Sequence, residues 1–366
     1  MPTLTHAAAR KELDLLVRTG LGIAPIAPAL ASVIRRLVGA EGCFIGWFDE
    51  HGAPEGFFHD SAPVSAQKLF LNNTHLFVGL NEFNIFWIAS YKGLAVGNML
   101  NPGKAFFNSN TFNLLFKACH HHFGLDLRVD VNGVTRTVAG LFRTKAQPFS
   151  DDDAHRLHSL TPALQTAVAK TPGSANLNRA RGETGHLLVS ADGARVSMIN
   201  EQAAGLLRLA KLFDQGVCLT EQMTAPPHFI RQLCHQLKPP PAPLARSEVD
   251  VVGGTLVITA NWMKSTAYHT AQGAAGGRVP SADEKILVTV EYQKPAAVDI
   301  VRSIAQLELS PLQSRIAMFA ATGGSRLECA VHHKVSKEAL KKHLREIYAA
   351  SRCADWQELA GKLTLY

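Results

Sequence analysis

No run of apolar residues in this chain approaches the length that crosses a bilayer, and the start, Met1-Pro2-Thr3-Leu4-Thr5-His6, lacks a basic segment followed by an apolar one. The chain is therefore expected to be cytoplasmic, with no membrane partner. Cysteine is sparse as well. The six residues, at 43, 119, 218, 234, 329 and 353, form no C-x-x-C pair, which argues against a zinc site or a disulfide framework and for reduced, buried thiols. Also missing are a Ser-His-Asp order, an H-E-x-x-H segment and a glycine loop with the fixed spacing of a phosphate cradle. Gly253-Gly254 reads as a tight turn, and the glycines from 273 to 277 as part of a loop over 265–283. No catalytic residue, metal ligand or cofactor is assigned, and no enzymatic reading finds support.

What is present suits a globular protein: 366 residues, 46% hydrophobic and 18% charged, enough for two or three domains. A formal charge of +7 leans toward an acidic partner. The excess is concentrated at the far end, where residues 310–366 carry nine Lys/Arg against five Asp/Glu.

That end reads as four short helices. Ser310-Pro311-Leu312-Gln313 and Ser325-Arg326-Leu327-Glu328 are capping boxes, and Ser336 caps a third helix. On this third helix Leu340, Leu344 and Ile347 share one face, while Lys337, Glu338, Lys341, Lys342 and Arg345 project from the other. Asp355 caps a last helix that offers Trp356, Leu359, Ala360 and Leu363 to the same core. Leu309-Ser310-Pro311, Ser336 to Leu344 and Ile347-Tyr348 resemble, in order and spacing, the LuxR/FixJ/NarL type of helix-turn-helix domain. The resemblance covers about the last sixty residues. It implies double-stranded DNA as partner, with Ser336, Lys337, Glu338, Ala339, Lys341, Lys342 and Arg345 at base edges or phosphates. Three departures stand out. His333-Lys334 replaces the usual leucine-glycine before the turn, Ala339 a threonine, and Arg315 a common acidic residue. On charge alone the region could instead be a domain that docks a protein partner.

Residues 1–150 hold eighteen of the chain's twenty-seven aromatic residues, which makes this region the first choice for a pocket taking a small apolar or aromatic effector. Phe44, Trp47, Phe57, Phe83, Trp87, Tyr91 and Phe107 are the candidate lining. Helices are expected over 6–20 and 27–38, a buried strand at Cys43–Phe48, and a hairpin through Asn132-Gly133. Ser150 then caps a helix whose first turn is Asp151-Asp152-Asp153, acids that compensate the helix dipole. Strand, hairpin, "PFSDDD" and amphipathic helix resemble the closing part of a GAF sensory domain.

Beyond a linker at 171–180, the order ββα…αβββ with "DG…INEQAAGLL" resembles a PAS domain, with a Pro-rich loop at 239–243. Residues 295–309 read as a connecting helix whose apolar face either pairs with a second subunit or docks on the adjacent sensor. The expected organisation is α+β: a GAF-like domain over 1–170, a PAS-like domain over 181–294, the connecting helix over 295–309 and an all-α helix-turn-helix domain over 310–366. The implied protein is a homodimeric regulator.

Two sharper possibilities have weaker grounds. Cys119-His120-His121-His122 suggests a metal or haem, but four adjacent side chains point in different directions and cannot all converge on one ion. Cys43 suggests a redox sensor, yet nothing basic flanks it to favour the thiolate, so a buried inert thiol is expected.

Overall fold

The computed structural model describes residues 6–91, 93–144, 147–169, 179–210, 225–237, 244–263 and 284–364. Cys218, the loops expected at 239–243 and 265–283, and the linker except its last two residues lie outside the described residues. The fold is mixed α+β, with two antiparallel sheets and a carboxyl-terminal helical region. It divides into two compact units, one of Met1–Arg179 with Pro295–Tyr366, the other of Ala180–Lys294. The carboxyl-terminal helices thus share a unit with the front of the chain.

In the first unit α1 (His6–Val17) and α2 (Ile23–Val38) precede β1 (Gly42–Phe48) and β2 (Pro54–His59). After α3 (Val64–Asn72) and α4 (Ile85–Ser90) come β3 (Phe123–Val131), β4 (Val134–Arg143), α5 (Asp151–His158) and α6 (Thr161–Val168). The sheet runs β2-β1-β4-β3. Asn132 and Gly133 both sit at positive φ (53° and 78°), the backbone that a two-residue hairpin between right-twisted strands requires.

Strand alternation splits this sheet into two faces. Cys43, Ile45, Leu125, Leu127, Val129, Ala139 and Leu141 are wholly buried on the face that α2, α5 and α6 cover. Register sets the opposite face: Phe44 stands beside His59 and Gly140, and Gly46 beside Phe57 and Val138. A Cβ at Gly46 would lie 2.0 Å from Ile85 Cδ1, so glycine is what lets α4 close onto this face. Asp126 belongs to it too and is fully buried. Its carboxylate accepts hydrogen bonds from Asn98 Nδ2 at 2.6 Å and the Met99 N–H at 2.7 Å, which pins the segment before β3 across the sheet.

The second unit holds β5 (Arg179–Ser190), β6 (Val196–Ile199), α7 (Glu201–Leu209), α8 (His228–Gln236), β7 (Ala245–Val251), β8 (Gly254–Met263) and β9 (Lys285–Pro295). Its five strands form one sheet, β6-β5-β9-β8-β7. Asn200 caps α7 by accepting from the Ala203 N–H at 2.9 Å. Leu206 and Leu207 of α7 and Ile230 and Leu233 of α8 pack with Leu187, Leu256, Ile258 and Val288 of the sheet.

Back in the first unit, α9 (Ala296–Ala305) leads to α10 (Pro311–Ala321), α11 (Arg326–His332), α12 (Lys337–Ser351) and α13 (Trp356–Thr364). Ala297, Ile300, Val301, Ile304 and Ala305 of α9 are buried, and α9 packs against α1, α10 and α13. Within the chain this apolar face docks on helices of its own unit, at the front and at the carboxyl-terminal end. Two polar contacts tie the same junction: Lys11 Nζ donates to the Leu307 carbonyl at 2.8 Å, and Arg315 lies 3.3 Å from the Asp14 carboxylate.

Candidate functional site

Two places in the first unit carry chemistry: the outer face of α12 and a cavity under the sheet. The helix is positioned by its caps. Ser310 Oγ accepts from the Gln313 N–H while the Ser310 N–H donates to Gln313 Oε1 at 2.7 Å, and Gln313 Nε2 reaches on to the Glu346 carboxylate of α12. Ser325 and Glu328 form the second capping box, and Ser336 Oγ accepts from the Ala339 N–H at 3.1 Å. Leu340, Leu344 and Ile347 are buried, as are Ile316 of α10 and Leu359 and Leu363 of α13. Each such side chain contributes about 1.5–3 kcal/mol by leaving water. Trp356 Nε1 donates to the Gly324 carbonyl at 3.1 Å, which ties α13 to the turn after α10.

Opposite that core, Ser336, Lys337, Glu338, Lys341, Lys342 and Arg345 are exposed, and Ala339 is half-buried. Among the described residues no ion pair engages the four cations. Docking of this module on α1 runs through α9 and α10 and leaves the cationic face uncovered. The turn before α12 manages without glycine: Lys334 itself adopts φ 52°. Beside α10 and α11 lies a groove of about 660 Å³ toward α1 and α6, edged by Arg18, Arg315, His332, His333 and Lys334. Residues some three hundred positions apart make that groove, so no local sequence signal marks it.

The cavity, about 100 Å³, lies on the Phe44 face of the sheet beneath α3 and α4. Phe44, Phe57 and Phe83 line it, together with Phe70, Phe116, Phe142, Ile85, Ile88 and Met99. Trp47, Trp87, Tyr91 and Phe107 do not. Trp47 faces the other way by strand parity and packs over Gly56. Trp87 stacks on Tyr91 (centroids 4.3 Å apart) along the outer side of α4, away from Ile85 and Ile88. From Tyr91 through Trp87 to Phe83, ring contacts run from surface to cavity wall, and from Phe83 they continue through Phe106 back out to the exposed Phe107. Asn84 anchors that wall: its Nδ2 donates to the Phe77 carbonyl at 2.7 Å, and its Oδ1 caps α4 at the Phe86 N–H.

Polar side chains gather in the same lining. His59, Cys119 and His121 present donor atoms that all lie within 4.8 Å of one another. Cys119 ends a single 3₁₀ turn, Lys117–Cys119, and His120 follows with φ 55°, a left-handed residue that brings His121 back toward Cys119. His120 and His122 are not members of the cluster, in keeping with the expectation that four adjacent residues cannot converge. The third member, His59, has no neighbour in sequence to announce it. Burial lowers the His59 pKa to about 4 and that of His121 to about 3, so both imidazoles are neutral at pH 7; burial raises the Cys119 thiol to about 11. Cys43 is fully buried, its thiol held well above the usual range by burial and then by Asp60. Of the three early acids of α5, Asp153 closes a capping box with Ser150 and lies 2.9 Å from Arg156 and 3.3 Å from Arg143.

No helix among the described residues is long and apolar enough to cross a membrane. No protein-family model matches the chain, and no curated protein matches it by sequence. Among solved structures it is similar to an N-acylhomoserine lactone-dependent LuxR family transcription factor from Burkholderia cenocepacia, at 18% identity and TM-score 0.30, over 44% of this chain and 90% of that one. It is also similar to the E. coli DhaR(N)–DhaL complex, at 15% identity and TM-score 0.20, over 78% and 89%. Likeness this low carries no function across.

Proposed function

We propose that the chain is a ligand-responsive, DNA-binding transcriptional regulator rather than an enzyme. In this reading a GAF-like domain at the front and a PAS-like second unit sense a small apolar or aromatic effector. The carboxyl-terminal helices are a LuxR-type helix-turn-helix that sets the amino-terminal end of α12 in the major groove, two copies reading two half-sites as a homodimer. The single observation that carries the reading is α12 itself. A capped helix is anchored by Leu340, Leu344 and Ile347, with Lys337, Lys341, Lys342 and Arg345 exposed on the opposite side and in no ion pair among the described residues.

A route for the signal is available in the first unit. The cavity lies under a sheet whose other face rests on α2, α2 packs on α1, and α1 carries α9 and α10. An effector acts only through unequal affinity for two arrangements of that stack. At about 100 Å³ the cavity is smaller than the ~150 Å³ that holds a benzene ring. Entry of an aromatic effector therefore displaces a wall side chain, which is a way for occupancy to reach the packed helices.

A second reading, that the terminal helices dock a protein partner, is favoured by Leu327 and Val331. These lie one turn apart on α11 and are 65% and 75% exposed. Mobility shift of genomic fragments separates the two readings. The regulator reading expects saturable, sequence-selective retardation that Lys341→Ala with Lys342→Ala weakens and Leu327→Ser with Val331→Ser leaves intact. Retardation absent at low salt, or indifferent to the lysine changes, leaves the docking reading in its place.

A further inference from the structure

The cavity's apolar lining is interrupted at one point, where side chains of metal-binding type meet. His59 faces inward because register places it opposite Phe44. Cys119 and His121 face inward because the left-handed His120 between them turns the chain. The ring of His121 lies parallel to Phe142 (centroids 4.2 Å, planes 3° apart), and His59 is parallel to both. Ser61 touches each imidazole: its N–H donates to His59 Nδ1 at 3.2 Å, and its hydroxyl is 3.3 Å from His121 Nε2. Asp60 Oδ1 stands 4.0 Å from His59 Nδ1, beyond hydrogen-bond reach, and adds negative charge beside the cluster.

We infer that His59, Cys119 and His121 form a binding site for a borderline-soft divalent ion of the zinc class. Two imidazoles and one thiolate are a donor set for such an ion, and three protein donors leave one position of a tetrahedral shell open. Because all three residues line the cavity, that position falls to water or to whatever small donor enters. A tetrahedral shell with metal–nitrogen bonds of about 2.0–2.1 Å and a metal–sulfur bond of about 2.3 Å holds its donors roughly 3.3–3.6 Å apart. The present spread, up to 4.8 Å, is wider by up to about 1.5 Å. Closing it turns the imidazoles out of their parallel stack, which moves ring surface on Phe142 and so reshapes the cavity. In the binding step Cys119 Sγ–H releases its proton to solvent as the sulfur–metal bond forms, and each imidazole gives a nitrogen lone pair. The inference does not rest on the regulator reading.

Co²⁺ titration of the metal-free, reduced full chain tests it. One equivalent should produce a thiolate-to-cobalt charge-transfer band together with the visible bands of four-coordinate cobalt, and excess Zn²⁺ should bleach both. Cys119→Ser should remove the charge-transfer band, and His121→Ala or His59→Ala should weaken Co²⁺ affinity by more than about 100-fold, while His122→Ala leaves the spectrum unchanged. Far-UV circular dichroism checks that each variant is folded. As a readout independent of variants, Zn²⁺ should slow native-state alkylation of Cys119 in the wild type. A charge-transfer band that never appears, one that survives Cys119→Ser, or alkylation of Cys119 at the same rate with and without Zn²⁺ overturns the inference.

Discussion

Lys334 is held in the left-handed region at φ 52°, where its Cβ crowds its own backbone. The hydrogen bonds around it show why. The Lys334 N–H donates to the Val331 carbonyl at 3.1 Å and the Val335 N–H donates to the Ala330 carbonyl at 3.0 Å, the paired bonds that end a helix when the residue just past it turns left-handed. Glycine takes that conformation without strain. A left-handed non-glycine residue costs about 1–2 kcal/mol. Glycine gives back roughly 0.4–1 kcal/mol through its freer unfolded chain. Lys334→Gly is therefore expected to stabilise the module by about 0.5–1 kcal/mol, while Lys334→Ala keeps the Cβ and should gain nothing. Hydrogen exchange of amides in 326–351 isolates the effect from the rest of the chain. Protection should rise about two- to fivefold in the glycine variant, at about 1.4 kcal/mol per tenfold. Equal protection in Lys334→Gly and Lys334→Ala, or faster exchange in Lys334→Gly than in the wild type, would refute the account of this turn.

Leu344 is 2% exposed on a helix that packs against α10, so Leu344→Ala should cost about 2–5 kcal/mol and show as lost protection in α10 and α12. Asn84→Ala removes a buried bond to the Phe77 carbonyl and the cap of α4, at about 1–3 kcal/mol, and should lower the urea midpoint while raising exchange at Ile85–Ser90. Burial holds His59 at about 4 and His121 at about 3, below the ordinary histidine value. The unfolded metal-free chain therefore binds protons first as pH falls. The stability owed to the neutral rings is fully present above pH ~6.5 and drains away toward pH 4 and 3. His121→Phe should flatten the loss of stability between pH 6.5 and 4 in urea titrations, and an unaltered slope would count against the burial assigned to it.

The carboxyl-terminal helices were legible because their signals are local. Ser310, Ser325 and Ser336 each stand three residues before the group they cap, and Leu340, Leu344 and Ile347 repeat at the helical period within one segment. The hairpin at Asn132-Gly133 was readable for the same reason. Cavity membership was not local. It depends on strand parity, which sends Phe44 toward the cavity and Trp47 to the opposite, buried face of the same strand, and on the pairing that sets His59 against Phe44. Asp126 lies between Leu125 and Leu127 in an alternating strand, yet it is buried because Asn98 and Met99, distant in sequence, hydrogen-bond to it. His59 meeting Cys119 and His121, and Asp14 meeting Arg315, are products of chain folding over long separations.

The salt dependence of duplex affinity tests the assignment of α12 most directly. For the full chain and a duplex enriched from genomic fragments, log affinity should fall linearly with log salt. Replacing Lys337, Lys341 and Lys342 together by alanine should make that slope shallower by about 0.9 for each phosphate no longer neutralised. A slope unchanged by the triple replacement, or a duplex bound equally well by both proteins at every salt concentration, would contradict the placement of this helix against DNA.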